Sequence, residues 1–243
     1  MKDSLFELKA CKEIAKNTYL WQLFGDISEI KAPGQFVNIK LSGFYLRRPI
    51  SVCDAEDGRL TLIFKAVGSG TELMAKMSPG ECLPILTGLG NGYNTKISGN
   101  RPLLIGGGAG VPPMYMLAKK LIAEGKRPTV IIGFNTKDEV FFEKEFEDLG
   151  CEVIVTTADG SYGLRGFVTD AMRELDYTYF YTCGPMPMLR AVNDASKTDG
   201  QFSFEERMGC GFGACMGCSC KTKFANKRIC RDGPVLEKGE IVW

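Results

Sequence analysis

Near its C-terminus the chain reads Cys210-Gly-Phe-Gly-Ala-Cys215-Met-Gly-Cys218, followed by a further cysteine at Cys230. Thiolates spaced C-x4-C-x2-C…C are the ligand pattern of a plant-type [2Fe-2S] cluster, a group that takes single electrons and performs no bond chemistry. The sulfurs must converge on a small inorganic core, and Gly209, Gly211, Gly213 and Gly217 let the backbone approach it. Structural zinc competes with this reading. Zinc sites, however, favour paired C-x2-C modules, often with histidine, and the chain contains 0 His. Cys220 is a fifth cysteine in the segment and could in principle replace Cys218 or Cys230, but its place directly after the loop favours packing.

If electrons rest on a cluster, other residues must deliver them. Leu103-Leu-Ile-Gly106-Gly107-Gly108-Ala-Gly110-Val-Pro112 reads as a strand entering a glycine-rich turn and then a helix, a geometry that brings a pyrophosphate to backbone N–H groups. Glycines also serve plain tight turns, so this motif is only moderately specific. Tyr181-Thr-Cys183-Gly184-Pro185 lies at the end of a later strand, on the same ligand-binding edge of an open α/β sheet, and strengthens the case. Upstream, Leu46-Arg47-Arg48-Pro49-Ile50-Ser51 offers a guanidinium and a hydroxyl beside a rigid proline. The alternative is that both arginines are solvated strand charges. Gly68-Ser-Gly70-Thr71 precedes an expected helix over Glu72–Met77 and adds a second amide cluster for phosphate. Together these two motifs suggest a flavin nucleotide.

The elements that must position these groups fall into three regions: 1–98, 99–200 and 201–243. From Leu5 to about Leu86, alternating runs such as Gln35–Lys40 and Leu60–Lys65 are separated by Pro-Gly and Asp-Gly turns, as in an antiparallel barrel or sandwich. From Pro102 to about Ala195, buried strands alternate with amphipathic helices, including Val111–Ala123, Lys137–Leu149, Gly166–Leu175 and Pro187–Ser196. This predicts a doubly wound parallel sheet. The last region carries the cysteines and little regular structure, so it should need its metal to fold. The fold class is therefore β plus α/β with a small C-terminal [2Fe-2S] domain.

Composition narrows the function further. A formal net charge of +1 implies no nucleic-acid partner. No apolar run approaches a membrane span, and the N-terminus lacks a signal-peptide core. Ten cysteines, four of them assigned to a cluster, point to a reducing compartment and a cytoplasmic protein. Without histidine there is no His-based acid or nucleophilic catalysis. Cys183 has no histidine to activate it and is better read as a small side chain at its turn than as a nucleophile. Asn135, Thr136, Lys137 and Asp138 follow the second α/β strand with no arginine for a 2′-phosphate, which favours NAD over NADP.

The order of parts resembles the ferredoxin reductase superfamily, and within it the electron transfer subunits of NAD-dependent dihydroorotate dehydrogenases. The resemblance spans essentially the whole chain and is sharpest over Glu206–Cys218 and Cys230-Arg-Asp-Gly-Pro-Val. It implies FAD on Arg48, Pro49, Ile50 and Ser51, on Ile63, Phe64 and Lys65, and on Gly70 and Thr71. Cluster ligands would be Cys210, Cys215, Cys218 and Cys230. NAD(H) would approach Gly106, Gly107, Gly108 and Gly110 and the Cys183-Gly184-Pro185 loop. The implied partner is an FMN-containing dihydroorotate dehydrogenase catalytic subunit in a two-fold heterotetramer. Where the family commonly reads Gly-Pro-Leu-Gly-Asn-Gly, this chain reads Thr87-Gly88-Leu89-Gly90-Asn91-Gly92, which predicts a less rigid interdomain connection. A free-standing NADH reductase and a structural metal-binding module are the competing functions. The basic run Lys221, Lys223, Lys227, Arg228, Arg231 could steer an acidic partner, and Trp243 could cover a flavin, cover an interface or simply pack.

Overall fold

A computed structural model describes all of residues 1–243. The first six strands are β1 (Lys2–Ala15), β2 (Thr18–Phe24), β3 (Phe36–Ile39), β4 (Arg48–Glu56), β5 (Arg59–Lys65) and β6 (Cys82–Leu89). They close into an antiparallel barrel in the order β1-β2-β5-β4-β3-β6, with helix α1 (Ser69–Ala75) between β5 and β6. Period-2 alternation places Phe6, Leu8, Trp21, Leu23, Val37, Ile39, Leu60, Leu62 and Phe64 in its interior. Trp21 meets Phe64 edge to face at 5.3 Å. Asp57 and Gly58 both take positive φ, which turns β4 tightly into β5.

The second unit contains β7 (Pro102–Gly107), α2 (Pro112–Ala123), β8 (Thr129–Phe134), α3 (Glu143–Asp148), β9 (Glu152–Thr157), β10 (Leu164–Arg165), α4 (Val168–Arg173), β11 (Tyr179–Cys183), α5 (Met186–Ala195) and β12 (Gly200–Ser203). Its strands run in the order β10-β9-β8-β7-β11-β12, all parallel, so the winding reverses between β7 and β11. Met114, Leu117 and Phe146 of α2 and α3 pack on one face. Val168, Met172, Leu189 and Val192 of α4 and α5 pack on the other.

The helix expected over Lys137–Leu149 is broken. Phe142 adopts a left-handed conformation with φ 69°, leaving a short 3-10 turn at Lys137–Glu139 before α3. The break lets both Phe141 and Phe142 enter the core, where they pack edge to face with Phe134 and Tyr115 respectively.

The C-terminal segment forms β13 (Ser219–Lys221), β14 (Asn226–Arg228), α6 (Ile229–Asp232) and β15 (Val235–Glu237). β15 returns to pair antiparallel with β12 and completes a seven-stranded sheet. Asn91, in the connection between barrel and sheet, clamps this return. Its backbone N–H donates to the Gly233 carbonyl at 2.7 Å, its Nδ2 donates to the Val235 carbonyl at 2.8 Å, and its Oδ1 accepts from the Val235 N–H at 3.1 Å. Tyr93 adds a hydroxyl bond to the Thr182 carbonyl at 3.2 Å. These bonds tie the connection to the C-terminal segment and to β11, downstream of Gly88. Trp243 packs on Phe202 and Phe204.

Barrel and sheet share one buried core, since Cys53, Ile63 and Tyr93 lie in the same cluster as Met114 and Leu117. Lys119 of α2 bridges to Asp54 at 2.8 Å and Glu56 at 3.0 Å on β4, and Lys65 pairs with Glu139 at 2.7 Å. Replacing Asn91 by alanine leaves the Val235 N–H and C=O unpaired by side chains. It should lower stability by about 1–3 kcal/mol and expose residues 205–242 to protease first, as read by urea melts and limited proteolysis.

Candidate functional site

A cleft of about 630 Å³ opens at the C-terminal edge of the parallel sheet, where the strand order reverses. Gly107, Gly108 and Gly110 line it from the turn after β7, and Gly184 and Pro185 from the turn after β11. The two turns touch backbone to backbone. A Cβ on Gly110 would overlap the Cys183 carbonyl and the Gly184 nitrogen, so only glycine allows this approach. Gly106 lies behind the turn against Val111 and does not line the cleft.

Cys183 is buried to 1% exposure beneath these turns. Burial, reinforced by the negative charge of Glu205, pushes its thiol up to about 12. That disfavours a thiolate nucleophile and suits a small packing side chain. Glu205 itself lines the cleft; its carboxyl reaches solvent yet is surrounded by protein, and this desolvation raises its pKa. Asn135 lines the cleft and binds Glu139 through its own amide at 2.9 Å, while Thr136, Lys137 and Asp138 do not line it.

Charge in the cleft is sparse. Among the lining residues Lys65 is the one cation, set against Glu139 and Glu205. Lys65 reaches across from β5 to Glu139, which also accepts from the Asn135 N–H at 3.2 Å. Burial pulls the Glu139 carboxyl upward, but bonds from Lys65 and Asn135 outweigh it and leave its pKa below the ordinary value. An ammonium and a carboxylate therefore sit beside Gly108 and Ala109 of the glycine turn.

The barrel motifs meet at a split between two strands. The β4–β5 ladder runs only from Val52↔Leu62 to Glu56↔Arg59. Arg48, Pro49, Ile50 and Ser51 pair on one side with β3, and Ile63, Phe64 and Lys65 on one side with β2, leaving an edge of each outside that ladder. Free backbone edges facing a seam fit a flat, hydrogen-bonding ring such as a flavin. Arg47 is satisfied by Asp3 at 2.6 Å. Arg48 has no carboxylate partner; it stacks over the Phe44 ring at 4.6 Å and lies across Gly70, so two of the phosphate-binding candidates are in contact. The Thr71 hydroxyl is turned into its own loop, accepting from the Val67 and Gly68 N–H groups at 3.0 and 3.2 Å. The barrel residues thus bring a half-buried arginine without a carboxylate partner next to two free strand edges.

The four cysteines fall into two pairs. Ala214 and Cys215 donate their N–H groups to Cys210 Sγ at 3.2 and 3.4 Å, and Cys210 and Gly217 donate to Cys215 Sγ, each at 3.5 Å. Cys230 N–H donates to Cys218 Sγ at 3.4 Å, and both of these residues are buried. Desolvation opposes ionisation of Cys210, yet the N–H groups of Phe212, Cys215 and Ala214 bring it down to about 6. No three ligand-type side chains meet around a single point. Paired sulfurs wrapped in N–H donors suit a two-iron core with two thiolates per iron better than one zinc. Cys220 sits on β13 in the flanking core and joins neither pair.

The folded chain neutralises part of the basic run. Lys227 pairs with Glu240 and Arg228 with Asp232, acids contributed from beyond the run, so Lys221, Lys223 and Arg231 are the members left without a carboxylate partner. Sequence inspection also missed Glu139 and Glu205, whose roles arise from chain segments that meet only in the folded cleft.

A closed barrel, a wound sheet with a cleft at its reversal point and a paired-cysteine loop define a pyridine-nucleotide reductase of the ferredoxin reductase class. A solved structure of an NADH-dependent reduced ferredoxin-NADP oxidoreductase superposes with a TM-score of 0.89 at 29% identity, covering 98% of this chain and 90% of that one. The ferredoxin reductase of carbazole 1,9a-dioxygenase shares the fold at a TM-score of 0.70 and 24% identity, over 80% of this chain and 65% of that one. The family description "Iron-sulfur cluster binding domain of dihydroorotate dehydrogenase B" matches residues 205–242, and "Oxidoreductase NAD-binding domain" matches 104–194.

The chain belongs to the family of dihydroorotate dehydrogenase B (NAD(+)) electron transfer subunits. It is 43% identical to the member from Geobacillus sp. (strain WCH70), over 100% of this chain and 99% of that protein. It is 44% identical to the member from Fusobacterium nucleatum, over 94% of each.

Two outcomes follow from this geometry. At pH 8 a thiol held near 12 is ionised to only about 10⁻⁴, so iodoacetamide should leave Cys183 unmodified in the native chain while alkylating exposed Cys82, as peptide mass mapping reads. Glu139→Gln, which frees Lys65 for an anion, should tighten NADH binding about fivefold, worth ~1 kcal/mol at a half-exposed pair. Lys65→Met should weaken it by a similar factor, and calorimetry checks both.

Proposed function

We propose that this chain passes electrons between an FMN-containing dihydroorotate dehydrogenase catalytic subunit and NAD, by way of a [2Fe-2S] cluster and FAD, in de novo pyrimidine (UMP) biosynthesis. The observation that carries this reading is the joining of three sites in one body: the cysteine pairs, the split barrel seam and the cleft at the sheet's reversal point. Bound FAD supplies the conversion between the hydride of a nicotinamide and the single electrons of a cluster.

Each region then has its task. Within 1–98, the Arg48 guanidinium, which has no carboxylate partner, and the turn at Gly70 and Thr71 hold phosphate, while Pro49, Ile50, Ser51 and Ile63–Lys65 present backbone edges to the flavin ring. Within 99–200, the Gly107–Gly110 amides face the dinucleotide phosphates, and the Cys183-Gly184-Pro185 turn shapes the nicotinamide end. Within 201–243, Cys210, Cys215, Cys218 and Cys230 hold the cluster. No protein acid or base is required for hydride transfer, in keeping with 0 His.

The cluster loop faces outward on one side. Phe212 and Met216 are 45% and 57% exposed, beside the exposed ligand Cys215. An apolar rim around an electron donor fits a docking partner, and Lys221, Lys223 and Arg231 suit a partner surface with acidic groups. Dihydroorotate oxidation belongs to that partner, in a two-fold heterotetramer. Ten free cysteines fit a cytoplasmic setting, and no helix is long and apolar enough to cross a membrane.

Co-expression with the FMN-containing subunit tests the assignment. Light scattering should give the mass of two copies of each chain, and NAD reduction should depend on dihydroorotate and on both chains together. A catalytic subunit that forms no complex with this chain, or that reduces NAD equally well without it, contradicts the proposal.

A further inference from the structure

Asn38 sits on the outward side of β3, between Val37 and Ile39, which fill the barrel. It is 1% exposed. Its Nδ2 donates to the Cys210 carbonyl at 3.2 Å, while its Oδ1 is buried with no partner. Gly211, the next residue of the cluster loop, lies so close to the same amide that a Cβ there would overlap it. On its other side Asn38 faces Pro49 across the β3–β4 ladder, within the Arg48–Ser51 stretch of the barrel seam. Arg47 locks this backbone by donating to the Asn38 carbonyl at 3.3 Å while paired with Asp3.

A lone buried amide is an unfavourable choice on a strand where an apolar residue would pack without orphaning an oxygen. Its place between the seam and the peptide of the first cysteine gives it a use. We propose that Asn38 is a positioning residue for electron transfer, holding the Cys210–Gly211 peptide against the flavin-bearing strand and directing an N–H dipole toward the cluster loop. The inference rests on the cluster assignment above. Hydrogen bonding around a cluster sets its potential, and a donor aimed at the loop favours the reduced, more negative core. Loss of the donor should therefore make the cluster harder to reduce.

The test is an EPR-monitored redox titration of the full chain as wild type, Asn38→Leu and Asn38→Thr, with iron, acid-labile sulfide and FAD measured on each. Leucine keeps the shape and removes the donor; threonine keeps a hydroxyl donor. Asn38→Leu should retain wild-type iron, sulfide and FAD, yet show the equilibrium for cluster reduction shifted about tenfold, or about 59 mV more negative for one electron. Asn38→Thr should return at least half of that shift. An unmoved midpoint in Asn38→Leu, or equal shifts in both variants, overturns the inference while leaving the cluster assignment intact. Wild-type protein without iron and sulfide overturns both.

Discussion

The structure depends on the return of the C-terminal segment to the sheet. A short antiparallel strand at Val235–Glu237 pairs with Gly200–Ser203, and Asn91 binds its start from the connection between barrel and sheet. With that pairing made, the cysteine loop is held between the outward face of β3 and the helix-covered face of the sheet. Phe36 and Leu89 of the barrel share a buried cluster with Cys218, Cys230, Phe202 and Leu236. An electron carrier that exchanges single electrons needs fixed, short separations. A segment tethered only by its metal would not supply them, whereas one built into the sheet does.

Electrostatics complete the arrangement with few charges. One ammonium, Lys65, reaches over the cleft from the barrel, and one guanidinium, Arg48, is left without a carboxylate at the seam. The remaining arginine of that motif, Arg47, is spent on Asp3 and so serves the strand pairing. Elsewhere the structure offers backbone N–H groups: they bond the sulfurs of Cys210 and Cys215, and the edges of β4 and β5 beyond their shared ladder leave more of them free. Such donors are fixed by the fold and need no titration, which suits a protein whose task is to orient redox groups and leave protons alone.

Local patterns are legible in the sequence because their causes are local. Cysteine spacing, the Asp57-Gly58 turn, the alternation in Gln35–Lys40 and Leu60–Lys65, and the strand-turn-helix at Leu103–Pro112 each follow from neighbouring residues. What escaped depends on distant segments meeting. The helix over Lys137–Leu149 breaks because Phe141 and Phe142 both gain burial from a left-handed Phe142, a gain visible only with Phe134 and Tyr115 in place. Lys227 and Arg228 are paired by Glu240 and Asp232, acids that lie beyond the basic run. Asn38, Glu139 and Glu205 carry no motif at all, since their significance comes from partners between 4 and 172 positions away or from the cleft itself.

The central claim is that nicotinamide, flavin and cluster communicate within this one chain. Anaerobic titration of the purified protein with NADH, followed by visible absorption and EPR with FAD, iron and acid-labile sulfide quantified on the same sample, tests it most directly. Bleaching of flavin absorption accompanied by a rhombic reduced [2Fe-2S] signal is the outcome expected here. Bound zinc without flavin, or flavin that bleaches while an intact cluster stays oxidised, would contradict it.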